Sequence, residues 1–251
     1  MRLLAITLLA APALAACNAE PEAEPETPHA AATTAATPRP DLARCEAAHV
    51  PAEGYGYGDE PIAVPADFTP FMAASETELA ILTQTGSTIC WNLGWISHFD
   101  IADQLVGERL LGLQYAGFES FGYLLVDRAG EGSITDTGAR PVFSPDGRRL
   151  AALQISDSGW GGMEGFGIWE LSAATHRALA RQVAEQDNDW TLPPPLSDQT
   201  QDWRLDGWRG NGCVGMSALP LDPKTYQPLN ERRTYFASEA NGWQVMAGTC
   251  P

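Results

Sequence analysis

The sequence predicts an all-β fold of propeller-like antiparallel blades, a small or incomplete propeller with room for one or two short helices. Three observations point there. Short apolar runs are bounded by Gly, Pro, Asn and Asp. Apolar stripes of helical spacing are weak. A pair of strand-like segments also recurs. Leu111-Gly112-Leu113-Gln114 followed by Phe121-Gly122-Tyr123-Leu124 is echoed by Ala151-Ala152-Leu153-Gln154 followed by Phe166-Gly167-Ile168-Trp169, at offsets of 40 and 45 residues. That period is the length of a four-stranded blade. Ala80–Gln84 with Ile89–Trp91 is a fainter echo.

Along the chain, strands are expected at Leu79–Leu82, Thr88–Leu93, Tyr123–Val126, Leu150–Ile155, Gly167–Leu171, Thr234–Ala237 and Trp243–Met246. Asn241-Gly242 tolerates positive φ and should turn the last two into a hairpin. A helix is expected over His98–Val106, stopped by Gly107. Ser172–Gln186 fits two readings equally: a helix on propensity, or a hairpin turning near Ala174-Thr175. Trp190–Trp208 holds three consecutive prolines and interrupts the rhythm.

The N-terminus reads as an address. Met1 and Arg2 precede an apolar run, Leu3–Leu14, which is too short to cross a bilayer core of about 30 Å and fits a secretory signal. The run ends in Leu14-Ala15-Ala16-Cys17, which resembles the lipobox of bacterial lipoproteins. The resemblance implies cleavage after residue 16 and acylation of Cys17, with chains such as palmitate. Two or three chains anchor stably, each buried CH₂ contributing about 0.8 kcal/mol. An ordinary cleaved signal is the plainer alternative. Asn18 stands where Asp would favour inner-membrane retention in that family, which implies the outer membrane, facing the periplasm. Residues 17–40 combine the lipid site with a linker of Ala, Pro, Thr and Glu that has no aliphatic anchor larger than Ala, so a disordered tether is expected. His29 is expected to be a solvated linker residue. Residues 41–251 form the single domain.

Pro141–Ala151 reads P-V-F-S-P-D-G-R-R-L-A. This resembles the repeat of periplasmic propellers similar to the translocation protein TolB and of related WD40-like repeats. In that repeat a strand ends in S-P-D-G, turns tightly and continues as an apolar strand. Ser144, Pro145, Asp146 and Gly147 are the turn. Pro145 presets φ, Asp146 accepts backbone N–H groups and Gly147 takes positive φ. The resemblance covers about 60 residues, from roughly 120 to 180, and implies a protein- or peptide-binding role.

The chain carries 15 Lys+Arg against 32 Asp+Glu, a net charge of -17. A nucleic-acid surface needs a basic stripe that this composition does not supply. Besides Cys17 there are Cys45, Cys90, Cys213 and Cys250. In an exported chain these read as disulfides. Cys45–Cys90 with Cys213–Cys250 closes the shorter loops, a pair joining Cys45 to Cys250 stays open, and a Cys₄ metal site lacks C-x-x-C spacing.

No catalytic residue, metal site or cofactor is assigned. Gly215–Leu219 lacks the last Gly of a nucleophile elbow, and Ser217 reads as a strand residue. Ser97-His98-Phe99-Asp100 gathers hydrolase residue types between sequence neighbours, and His98 reads as a partly buried structural histidine. His49 and His176 are isolated. Gly54–Gly58 lacks phosphate-loop spacing, and Asp187-Asn188-Asp189 reads as a solvated turn. The most suggestive segment is Asp157–Gly165, a long link between two blade strands, where Trp160 and Glu164 are candidate partner contacts. The expectation is therefore a membrane-anchored periplasmic lipoprotein that binds or scaffolds a protein or envelope component. The alternative is an envelope-directed hydrolase of glycan or peptide using paired carboxylates.

Overall fold

The computed structural model describes residues 37–48, 61–94, 96–117, 120–155, 162–185, 191–197, 200–222 and 224–251. Cys17, His29, His49, Gly54–Gly58, Trp160 and Asp187–Asp189 lie outside them. The described residues are all-β, apart from one α-helix and short 3₁₀ turns, and they form four antiparallel sheets. The first sheet is β1 (Met72–Ala74), β2 (Glu78–Leu82) and β3 (Thr88–Asn92). The second is β4 (Ile96–Val106), β5 (Leu110–Gly117), β6 (Ser120–Asp127) and β7 (Ser133–Asp136). The third is β8 (Val142–Phe143), β9 (Arg149–Gln154), β10 (Gly165–Leu171) and β11 (His176–Val183). The fourth is β12 (Thr200–Trp208), β13 (Cys213–Pro220), β14 (Arg233–Ser238) and β15 (Met246–Ala247). Each sheet is a meander in which every strand pairs with its chain neighbour. The two halves of the sequence echo fall on equivalent strands. Leu111–Gln114 lies in β5 and Ala151–Gln154 in β9, the second strands of their sheets, while Phe121–Leu124 and Phe166–Trp169 lie in the third strands β6 and β10.

Two expectations need correction, and one open reading is settled. His98–Val106 is not a helix but most of β4, an edge strand whose pairing to β5 shifts register at three places. Ser172–Gln186 is the hairpin: Ser172 N–H bonds Thr175 O at 2.9 Å, and β11 comes next. The one α-helix among the described residues, α1 (Leu42–Ala48), stands where none was expected. Its start is nevertheless written in the sequence, because Asp41 Oδ1 accepts the Arg44 N–H at 3.0 Å, as an N-cap does. The final hairpin forms, with β14 pairing β15. Its turn is a 3₁₀ segment ending at Gly242 in the left-handed region, so the second strand is only Met246–Ala247.

Packing follows chain order. One core joins the first two sheets through Leu79, Ile81, Leu111, Leu113, Leu124 and Val126. A second joins sheets two and three through Leu110, Leu125, Leu150, Ala152 and Trp169. A third joins sheets three and four through Ala151, Phe166, Ile168, Val214, Met216 and Tyr235. None of these clusters unites sheet four with sheet one. Two sites in sheet two show how tightly the layers fit. A Cβ on Gly112 would stand 1.8 Å from the Tyr123 hydroxyl, and one on Gly122 would stand 2.2 Å from that of Tyr115, so the hydroxyl end of each tyrosine occupies the space over a glycine.

The cysteines pair as the shorter-loop reading expects, Cys45–Cys90 with S–S 2.03 Å and Cys213–Cys250 with 2.11 Å. Side chains alternate across a strand. Ile89 and Trp91 therefore face the first core while Cys90 faces outward, where α1 packs on β2 and β3. Likewise Val214 and Met216 face the third core while Cys213 points away, toward the C-terminal segment. Each disulfide fastens a terminal segment onto the outer side of an end sheet.

Candidate functional site

All of the longest strand connections lie at one end of the sheets. At the other end the connections are short: 107–109, 128–132, 144–148, 172–175 and 209–212. These turns bond to one another across sheets. Arg128 Nε donates to Leu82 O at 2.7 Å, Arg109 Nη2 to Ser172 O at 2.6 Å, and the Asp146 N–H to Asn211 Oδ1 at 3.1 Å. The opposite end carries the long links 155–164, 184–199 and 221–232 beside the short connections 93–95, 118–119 and 137–141. A scaffold that ties one end and leaves long links at the other has its variable surface at the second.

The S-P-D-G turn belongs to the tied end. Gly147 has φ +68°, the Ser144 hydroxyl donates to Asp146 Oδ1 at 2.7 Å, and the same carboxylate oxygen accepts the Arg148 N–H at 3.1 Å. Pro145 precedes Asp146 in the turn. Beside it, Arg149 grips Glu239 through both terminal nitrogens at 3.1 and 3.0 Å and lies over the Trp243 ring at 5.2 Å. Ser144, Pro145, Asp146 and Gly147 therefore make a structural turn that docks sheet three on sheet four.

The same end holds a buried polar network that sequence reasoning missed. Asp127 is 0% exposed. Arg109 donates to both of its oxygens at 3.0 and 2.9 Å, and the Ala129 N–H adds a bond at 3.0 Å. The ring of His176 on β11 lies between Ser133 (Oγ to Nδ1, 3.1 Å) and Thr135 (Oγ1 to Nε2, 2.8 Å), with Nδ1 3.7 Å from Asp127. Burial alone would raise the Asp127 pKa. The neighbouring His176, the Arg109 bonds and the Ala129 N–H outweigh it and hold the carboxyl well below its usual range. Thr, His and Asp are the residue types of a hydrolytic relay. Here the carboxylate is saturated by Arg109, and the imidazole is sealed in the seam between sheets two and three. The group fastens two sheets. No local signal marks it, since Asp127 and His176 meet only through folding.

At the long-link end, the root of the 155–164 link is anchored. The Tyr115 hydroxyl donates to Asp136 Oδ2 at 2.5 Å, while Asp136 Oδ1 accepts the N–H groups of Gly138 at 2.8 Å and Met163 at 3.2 Å. Burial, reinforced by the Asp136 charge, pushes the Tyr115 pKa far above its ordinary value, so the phenol is a fixed donor. The Gly162 N–H bonds Phe121 O at 3.0 Å, and the Phe121 side chain is exposed beside it. A Cβ at Gly162 would meet both Asp136 and the Tyr115 hydroxyl. Glu164 lies on this root, and its backbone oxygen accepts the Ala184 N–H at 2.9 Å. Trp160 lies just upstream, outside the described residues.

Other expectations resolve plainly. Ser217 is a strand residue, buried in β13, and its hydroxyl donates to Asp206 at 2.9 Å. His98 is not partly buried but exposed on β4, where Nδ1 lies 3.0 Å from the Ser97 hydroxyl and Nε2 3.0 Å from Asp100. The neighbours do meet, yet the group lies open on an edge strand. No group of three or more potential metal ligands occurs among the described residues. Two clefts there are each lined by a single carboxylate, Glu231 in one and Asp67 in the other. No family model, curated protein or solved structure matches the chain.

Proposed function

We propose that the chain is a bacterial lipoprotein, anchored through Cys17 to the periplasmic face of the outer membrane. Its domain is an open, propeller-like stack of blades that binds or scaffolds a protein or another envelope component. The observation that carries this reading is the asymmetry of the stack. Its short turns are bonded into a rigid base, and its long links emerge together at the other end, where the Asp136 clamp holds the root of the Trp160–Glu164 link. Preorganised link roots lower the ordering cost of binding. The S-P-D-G segment supports the blade assignment by resemblance.

Photo-crosslinking from position 164 in intact envelopes tests the binding role. A discrete crosslinked species that disappears with Trp160→Ala is expected, and an unchanged pattern in the variant removes this link from the reading. Palmitate labelling tests the anchor: the native chain should take up label and Cys17→Ser should not, while globomycin should hold the uncleaved, larger precursor in the membrane. A native chain that takes up no label, or whose size globomycin leaves unchanged, would overturn it.

A further inference from the structure

The structure assigns Asn211 as a self-activated deamidation site, a covalent modification placed where sheet three docks on sheet four. Its co-reactant is water, and its product is a carboxylate at position 211. Asn-Gly occurs twice in the chain, at Asn211-Gly212 and Asn241-Gly242. Glycine leaves the amide after a thermolabile Asn unshielded by any side chain, so this dipeptide favours the reaction. The fold treats the two copies in opposite ways. The inference is independent of the binding-module reading.

Asn241 is held shut. Its Oδ1 accepts the Ser238 N–H at 2.9 Å, its Nδ2 donates to Gln244 O at 3.0 Å, and the Gly242 N–H donates to Glu239 O at 3.1 Å. The nucleophilic nitrogen and the leaving nitrogen are therefore both tied. Asn211 has the reverse arrangement. It is exposed in the β12–β13 turn, and neither its Nδ2 nor the Gly212 N–H has an acceptor among the described residues. Its two oxygens, by contrast, are both bonded. Oδ1 accepts the Asp146 N–H at 3.1 Å, and the backbone oxygen accepts from Arg149 Nη1 at 2.9 Å.

Those bonds favour the reaction. When the Gly212 nitrogen loses its proton to water or hydroxide, the charge is shared with the Asn211 backbone oxygen, where the Arg149 cation stabilises it. The nitrogen attacks Asn211 Cγ, and the charge moves to Oδ1, where the Asp146 N–H acts as an oxyanion donor. Collapse breaks the Cγ–Nδ2 bond, the leaving nitrogen takes a proton from water and departs as ammonia, and a cyclic succinimide remains. Water opens that ring at either carbonyl and gives aspartate or isoaspartate. No oxidant or further reactant enters. Isoaspartate adds one methylene to the main chain and turns the old backbone carbonyl into a carboxylate. That carboxylate competes with Glu239 for Arg149, which grips Glu239 at 3.1 and 3.0 Å in the unmodified protein. The modification therefore loosens the turns that join sheets three and four.

Peptide mapping of the oxidised full chain, aged at mildly alkaline pH either native or in urea, tests this. The two sites fall in different tryptic peptides, because Lys224, Arg232 and Arg233 separate them. In urea both should show the mass increase of deamidation at similar rates. In the native chain Asn211 should react at least as fast as in urea, and Asn241 should react at least about tenfold more slowly, the factor that one hydrogen bond added to a barrier supplies. Slower reaction of Asn211 in the native chain than in urea, or equal native rates at the two sites, would overturn the assignment. Hydrogen exchange of the aged native chain, separated from unreacted protein by anion exchange, reads the consequence. Amides of residues 209–213 and 239–243 should exchange faster than in the unreacted chain. Unchanged protection there would overturn the loosening of the dock.

Discussion

Replacing Arg109 by Met isolates the cost of leaving Asp127 unpaired. In the native protein Asp127 is fully buried and takes two charge-assisted bonds from Arg109, which also reaches Ser172 O on the next sheet. Methionine keeps much of the stem volume and removes the cation. Removing one partner of a buried ion pair typically costs about 3–5 kcal/mol. Asp127 would keep the Ala129 N–H and the nearby His176, so the lower end applies, about 3 kcal/mol, or roughly 6–12 °C in Tm for a domain of this size. The effect depends on pH, with a sign that comes from the protonation equilibria. Native Asp127 has a depressed pKa and stabilises the fold above the ordinary carboxylate range, near pH 4. Without Arg109 one of the interactions that hold that pKa down is gone, so Asp127 of the variant titrates higher than the native group. The gap between native and variant therefore grows with pH from the native pKa, below the ordinary carboxylate range, up to the variant's pKa, and has its full size by pH 7. Urea titrations of both oxidised proteins at pH 2.5, 4 and 7 measure it. A difference below about 1 kcal/mol at pH 7, or one no smaller at pH 2.5 than at pH 7, would refute the assignment of Arg109 as the counter-charge that makes burial of Asp127 tolerable.

Gly122→Ala should cost about 1–3 kcal/mol in thermal or urea melts, because its Cβ would stand 2.2 Å from the Tyr115 hydroxyl and 2.4 Å from the adjoining ring carbon. A variant within about 0.3 kcal/mol of the native protein would show that the ring shifts freely. The paired change Cys213→Ser with Cys250→Ser opens a loop of sequence separation 37 and should lower stability by about 4 kcal/mol. Hydrogen exchange should rise first in β13 and β14, and a uniform rise across all four sheets would contradict the serial packing.

Much of the fold was legible because each third strand is a short apolar run closed by turn residues, and because equivalent strands of sheets two and three carry similar residues. The misreading of β4 has a physical cause. Its register shifts insert extra residues, so Phe99 and Ala102, three apart, pack on the same core. In one dimension that spacing imitates a helix, and Gly107 imitates its cap. The functional surface was only half legible. Link length and Trp160 could be read directly, but the Asp136 clamp joins β7 to a link in the next sheet, and the Asp127 network joins residues from β6, β7 and β11. Such groups meet only after the sheets stack, and no local pattern announces them.

The Cys45–Cys90 bond also sets how the domain responds to force. A pull entering from the N-terminal side at Thr37 reaches Cys45 within α1, and the covalent link passes the load directly to β3. Residues 46–89, including β1 and β2, lie outside the load path and cannot be peeled away strand by strand. Once the Asp41 N–H bond to Thr88 Oγ1 and the first turn of α1 have given way, the noncovalent contacts that bear tension are those that hold β3 and the strands after it. A protein strung from its N-terminus would keep its first sheet folded under drag that would otherwise unzip it from that end.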